Sequence, residues 1–107
     1  MTETIKDRIK TIVEENDVVL FMKGEANSPI CGFSSVVCQI LKKLNVQFVG
    51  VNVLADEQIR QGIKDYSNWP TIPQLYIKQE FIGGCDITKE MYQSGELQEL
   101  LRAKNLL

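Results

Sequence analysis

Apolar residues recur along this chain at two different spacings, and the spacings predict its elements. Ile5, Ile9, Ile12 and Val13 fall three or four residues apart, which predicts a first helix ending near Asn16. Residues 18–22 read VVLFM, a short unbroken apolar run suited to a buried strand. Val37, Ile40, Leu41 and Leu44 return to helical spacing and form one stripe of a second helix. Phe48, Val49, Val51 and Val53 mark a second strand region. Asp56 is placed to cap a third helix carrying Ile59, Ile63 and Tyr66. A strand at LYIK, the pair Phe81-Ile82, and one or two closing helices with Met91, Leu97, Leu100 and Leu101 complete the pattern.

The predicted order is α-β-α-β-α-β-β-α. A helix joins the first two strands, so they should be parallel with a right-handed crossover. Lys78-Gln79-Glu80 joins the last two, which should form a hairpin. GEANSP, residues 24–29, reads as a loop. The simplest layered solution is an α/β domain with a mixed four-stranded sheet and helices on both faces. The 107 residues suit one domain, taken here as residues 1–107, which can bury a sizeable core without staples.

Composition narrows the chemistry. The net charge is −2, with acids and bases mixed, so neither nucleic acid nor a membrane surface is an expected partner. The longest apolar run is far too short to span a bilayer. The amino terminus, MTETIKDRIK, carries acids and no apolar segment, so a cytoplasmic protein is expected, or a mitochondrial matrix protein if a presequence has been removed. Three cysteines without a secretion signal fit a reducing compartment. There is no histidine, which removes Cys-His and Ser-His pairs and the His-containing zinc sites. Three thiols are also too few for a closed zinc site.

The cysteines differ in situation. Cys31 sits between Ser28-Pro29 and the start of the second helix, where open amides and the helix dipole would lower a thiol pKa; a small buried residue is the alternative. Cys38 lies two helical turns on, about 10.5 Å along the axis and too far for a disulfide with Cys31. It reads as a packing residue. Cys85 follows Gly83-Gly84 at another expected helix start. It nears Cys31 only if the fold joins the two helix ends.

MKG, then CGFS at residues 31–34, IRQGIKDYSNWPTIPQLYI at 59–77 and EFIGGCDI at 80–87 resemble, in this order and spacing, the monothiol glutaredoxins with a CGFS site. The resemblance runs from about Ile5 to Leu101 and implies a thioredoxin-like fold. It implies glutathione binding by Lys23, Cys31, Arg60, Ile72, Cys85 and Asp86, with Gly32 and Phe33 filling the active-site motif. Lys23 and Arg60 would together hold the glycine-end carboxylate, although either alone is more often a solvated surface charge. The amides of Cys85 and Asp86 suit the γ-glutamyl carboxylate, and the Asp86 side chain suits the ammonium or a helix cap. A cis Ile72-Pro73 bond is implied, turning the Ile72 backbone toward an extended peptide. Trp69 and Pro70 would shape the rim, or Trp69 would pack.

The resemblance also implies a role for a lone thiol. A [2Fe-2S] cluster needs four ligands, usually thiolates. Cys31 and one glutathione from each of two chains complete that set. The chain would then be a monomer without the cluster and a homodimer with it. It would receive the cluster from an iron–sulfur scaffold and pass it to apo-acceptor proteins, with a BolA-like protein able to replace the second copy. Such a carrier need not be an enzyme. The alternative is a glutathione-dependent thiol-disulfide oxidoreductase that removes glutathione from protein thiols, which needs one nucleophilic cysteine and a second glutathione. A third reading is a redox sensor pairing Cys31 with Cys85.

Overall fold

In the computed structural model, residues 4–107 are described. The elements are α1 (Ile5–Glu15), β1 (Val18–Met22), β2 (Gly24–Glu25), β3 (Ser28–Pro29), α2 (Gly32–Lys43), β4 (Val49–Asn52), α3 (Glu57–Ser67), β5 (Gln74–Ile77), β6 (Glu80–Gly83), α4 (Cys85–Ser94) and α5 (Glu96–Ala103). A four-stranded sheet runs β4-β1-β5-β6. β1 pairs parallel with β4 and antiparallel with β5, and β5 pairs antiparallel with β6. The sheet is mixed, as the connections predict.

β1 is central and all five of its residues are buried, which explains its unbroken apolar run. Leu20 and Met22 join Leu41, Leu75, Leu97 and Leu101 on the face covered by α2, α4 and α5. Val19 and Phe21 join Ile9, Val13 and Ile63 on the face covered by α1 and α3. These two cores on opposite sides of one sheet make the thioredoxin-like arrangement.

Local chemistry sets the boundaries. Thr4 and Asp7 form a capping box at the start of α1. Asp56 Oδ1 accepts from the amides of Gln58 at 2.9 Å and Ile59 at 3.4 Å, so the expected cap of α3 is present. α4 and α5 are separate helices because Gly95, at φ +88°, breaks the path between them.

Three details differ from the sequence pattern. Gly24–Glu25 and Ser28–Pro29 pair as a small two-stranded ladder within the expected loop. The β5–β6 turn uses only Lys78 and Gln79, both with positive φ, while Glu80 already belongs to β6. That is the left-handed pair a two-residue hairpin requires, supplied here without glycine. Phe48 and Val53 fall outside β4 yet pack into the cores, so apolar pattern overstated the strand's length.

Candidate functional site

The carboxyl end of β1 delivers Lys23, and a short loop then leads to Cys31 at the N-cap of α2. No side chain caps this helix, so its first amides stand open to the cysteine sulfur. The Cys31 thiol is held below its ordinary value, chiefly by the backbone amide of Ser34. The Phe33 amide, the Lys23 ammonium and the Ser34 hydroxyl add to this, against a partial opposing effect of burial. Cys31 is half-buried and is a free thiol. The sequence left a reactive and a packing role open, and the open amides beside the half-buried sulfur favour the reactive one.

Ser34, the residue that replaces a second cysteine, is fully buried. Its Oγ accepts from the Lys23 amide at 3.1 Å. One side chain thus ties the end of β1 to the first turn of α2 and adds slightly to the lowering of the Cys31 thiol. Lys23 also precedes a fixed turn. The Gly24 amide donates to Asn52 Oδ1 at 3.0 Å, and a Cβ on Gly24, at φ +89°, would fall 2.6 Å from the Ile30 nitrogen. Lys42 Nζ donates to the Ala26 carbonyl at 2.7 Å and holds the small ladder against α2.

Across from Cys31 lies the segment of residues 69–73. Its Ile72-Pro73 bond is cis. Gln74 is fully buried, and its Nε2 donates to the carbonyls of Trp69 and Thr71, both at 3.1 Å. Trp69 does both things the sequence allowed: it lines the cavity, and its ring packs 5.8 Å from that of Phe81. The Gly83-Gly84 turn closes the third side. A Cβ on Gly84 would approach the Pro73 carbonyl at 3.3 Å, so glycine lets the start of α4 rest on this segment. α4 also lacks a side-chain cap, so the amides behind Gly84 are open.

These pieces enclose a cavity of about 470 Å³. Lys23, Cys31, Phe33, Ile72, Pro73, Cys85 and Asp86, all singled out from the sequence, line it. The fold therefore brings Cys85 to Cys31, which spacing could not show. Burial raises the Cys85 thiol, helped by the Asp86 carboxylate and by the charge on Cys31. Cys38 is buried in the core with its Sγ 3.6 Å from Met22 Sδ, and burial raises its thiol as well. It is the packing residue expected. Among the described residues no disulfide forms.

Two expected site residues lie outside this lining. Arg60 points its guanidinium to Glu57 at 3.6 Å, and Gly32 stands in open space. The cation of α3 that does line the cavity is Lys64. It was not singled out, although it sits four residues after Arg60 and so on the same helix face. Thr71 and Ile87 were missed too. Phe33 and Ile87, which line the cavity, are exposed apolar side chains, as is Ile30, next to Cys31 in the chain.

A sequence model of the glutaredoxins matches residues 18–82. The chain belongs to the glutaredoxin family. This glutaredoxin is 59% identical over 99 residues to a chloroplastic monothiol glutaredoxin of Arabidopsis thaliana, covering 92% of this chain and 57% of that protein. It is 56% identical over 101 residues to an uncharacterised monothiol glutaredoxin of Synechocystis, covering 94% of each. Its fold matches the solution structure of a monomeric truncated mutant of a Trypanosoma brucei glutaredoxin with a TM-score of 0.87 and 39% identity, over 100% of this chain and 96% of that one. It matches reduced apo poplar glutaredoxin with a TM-score of 0.82 and 56% identity, over 92% and 91%. The Cys31-Gly32-Phe33-Ser34 motif places it among the monothiol members.

Proposed function

We propose that this glutaredoxin binds glutathione in the Cys31 cavity and carries a labile [2Fe-2S] cluster between proteins. The observation that carries the proposal is the charge pattern beside the thiolate. Lys23, Lys64 and Asp86 line the cavity, two cations and one anion. Glutathione carries two carboxylates and one ammonium, the complementary set. The volume of about 470 Å³ lies within the range of small-ligand sites. The open amides of Cys85 and Asp86 suit one carboxylate, the lysines suit the other, and the Asp86 carboxylate suits the ammonium. Arg60 would join by releasing Glu57, its exposed partner.

The donor set also fits the cluster as cargo. Among the described residues no group of three or more His, Cys, Asp or Glu side chains is placed to hold a metal ion. One chain therefore offers the Cys31 thiolate, and a cluster of four ligands draws on two chains and two glutathiones. The exposed Ile30, Phe33 and Ile87 would border the second subunit. A BolA-like protein would take that place in a mixed dimer. An iron–sulfur scaffold would supply the cluster and apo-acceptor proteins would receive it. Anaerobic reconstitution with iron, sulfide and glutathione tests this. Visible absorption with dimeric sedimentation, both lost in Cys31→Ser, is expected. A colourless monomer would refute it.

The lowered Cys31 thiol also favours a second reading as a glutathione-dependent oxidoreductase. Its thiolate would attack the glutathione sulfur of a mixed disulfide and release the protein thiolate. A second glutathione would then reduce the Cys31–glutathione disulfide and leave as oxidised glutathione. Steady-state turnover of a glutathionylated peptide decides its weight.

A further inference from the structure

A second groove lies away from the Cys31 cavity, and the two share no lining residue. It has a volume of about 490 Å³ and runs between β6 and the pair α4–α5. Ile82, Met91 and Leu100, all partly exposed, form an apolar floor that continues into the core beneath. Glu80, Glu96 and Glu99 line the same groove and are exposed. Ion pairs among the described residues join Arg8 to Asp56, Arg60 to Glu57 and Lys78 to Asp17. None of them neutralises a glutamate of this groove.

The wall of the groove is a sheet edge. β6 is the last strand of the sheet and pairs only with β5. Among the described residues, the backbone hydrogen bonds outside helices and strands involve no residue from 80 to 83. The outer amides and carbonyls of β6 are therefore available, and an unpaired edge is a template for another strand. A charged rim can guard such an edge against self-pairing. The same rim selects a partner of opposite charge.

We infer that this groove docks a basic, extended segment of a partner protein, which adds to β6 as a fifth strand of the sheet. Side chains alternate along a strand, so every second residue of the segment would face the floor. An apolar side chain there would sit on Ile82, Met91 and Leu100. Lysines or arginines two residues before or after it, on the same face of the segment, would meet Glu80, Glu96 and Glu99. Backbone pairing supplies attachment, and the glutamates supply selection for positive charge. A partner held here leaves Cys31 accessible, while the Phe81–Trp69 contact joins the strand to the wall of the cavity. The inference stands apart from the glutathione reading, because it uses none of the cavity residues.

The test is titration of the isotopically labelled apo protein with a blocked ten-residue peptide in which every second residue is in turn leucine and lysine, so that both share one face, with threonine between them. Amide shifts should move and saturate at residues 80–83 and 96–100, with little change at residues 31–34. The affinity should fall at least tenfold when alternate peptide amides are N-methylated, because such a peptide cannot pair with the edge. It should fall several-fold in the double variant Glu80→Gln/Glu99→Gln, two exposed positions, with unchanged circular dichroism. A peptide with glutamate in place of lysine should not bind. Absence of saturable binding overturns the proposal, as does binding centred on Cys31. Equal affinity for the N-methylated peptide overturns strand addition. Self-association of the protein through residues 80–83 without peptide would assign the edge to a second copy instead.

Discussion

Replacing Ser34 by alanine should separate the two roles of that side chain. The hydroxyl is fully buried and accepts from the Lys23 amide at 3.1 Å. Alanine leaves that amide without its partner, and an unsatisfied buried donor costs about 1–3 kcal/mol. The Lys23 end of the bond is only partly buried, so water can recover some of the loss, and about 1–2 kcal/mol is expected. For a domain near this size each kcal/mol lowers the melting temperature by about 4–8 °C. The thiol should respond far less. The largest cause of its lowered pKa is the Ser34 backbone amide, which alanine retains, and the hydroxyl is the smallest. Urea unfolding measures the first effect, and thiolate absorbance against pH measures the second. A Cys31 thiol returned to its ordinary value of 9.0 would show that the hydroxyl governs the site, and unchanged stability would show that the Lys23 bond is idle.

At neutral pH Cys31 should react with iodoacetamide before Cys85, and Cys38 should react last, as peptide mapping of partly labelled protein can show. The lowered Cys31 thiol contributes stability that is fully present above 9.0 and fades as pH falls through its folded value; Cys31→Ser should flatten that part of the pH–stability profile. Lys64→Ala should weaken glutathione binding by roughly fivefold, about 1 kcal/mol, measured by calorimetry. Arg60→Ala should weaken it less, since Arg60 first has to leave Glu57; the reverse order would mean that the bound state rearranges α3. Burial pushes the Tyr76 phenol up to about 12, with the nearby Ser67 hydroxyl pulling the other way; that hydroxyl donates to the Ile63 carbonyl at 2.9 Å, and among the described residues none meets the phenol at full hydrogen-bond geometry. An unfolded tyrosine ionises near 10.0, so this contribution is present below 10.0 and is lost as pH rises toward 12. Tyr76→Phe should remove that alkaline loss and cost nothing at neutral pH, because the ring contacts to Phe21 and Phe81 remain; a neutral-pH loss above about 1 kcal/mol would reveal a hydrogen bond from the hydroxyl.

Where the sequence was legible, the physics was local. The stripe of α2 and the Asp56 cap each depend on residues within a turn of one another, so spacing alone reveals them. The setting of Cys31 is similar, since Phe33 and Ser34 supply most of it. The meeting of Cys31 with Cys85 depends on β5 and β6 pairing beside β1, which no short window contains. The family resemblance pointed to Arg60, whereas the lining includes Lys64, one turn further along the same face of α3, and Arg60 pairs with Glu57. The ladder of residues 24–29 was hidden because two-residue strands carry no period. Lys78 and Gln79 are poor turn residues by composition, yet pairing of the flanking strands imposes left-handed geometry on both.

The same division between local and distant parts has a consequence at the ribosome. The amides that activate Cys31 belong to α2 and emerge from the exit tunnel with it. The segment of residues 69–73 emerges about 40 residues after Cys31, and Cys85 and Asp86 only after roughly half the chain more has been made. β1 also waits for β5, one of its two neighbours in the finished sheet. A nascent chain therefore presents the Cys31 thiol before its walls exist. For that interval the thiol meets oxidants and small thiols of the cell without selection, and translation speed sets how long the interval lasts.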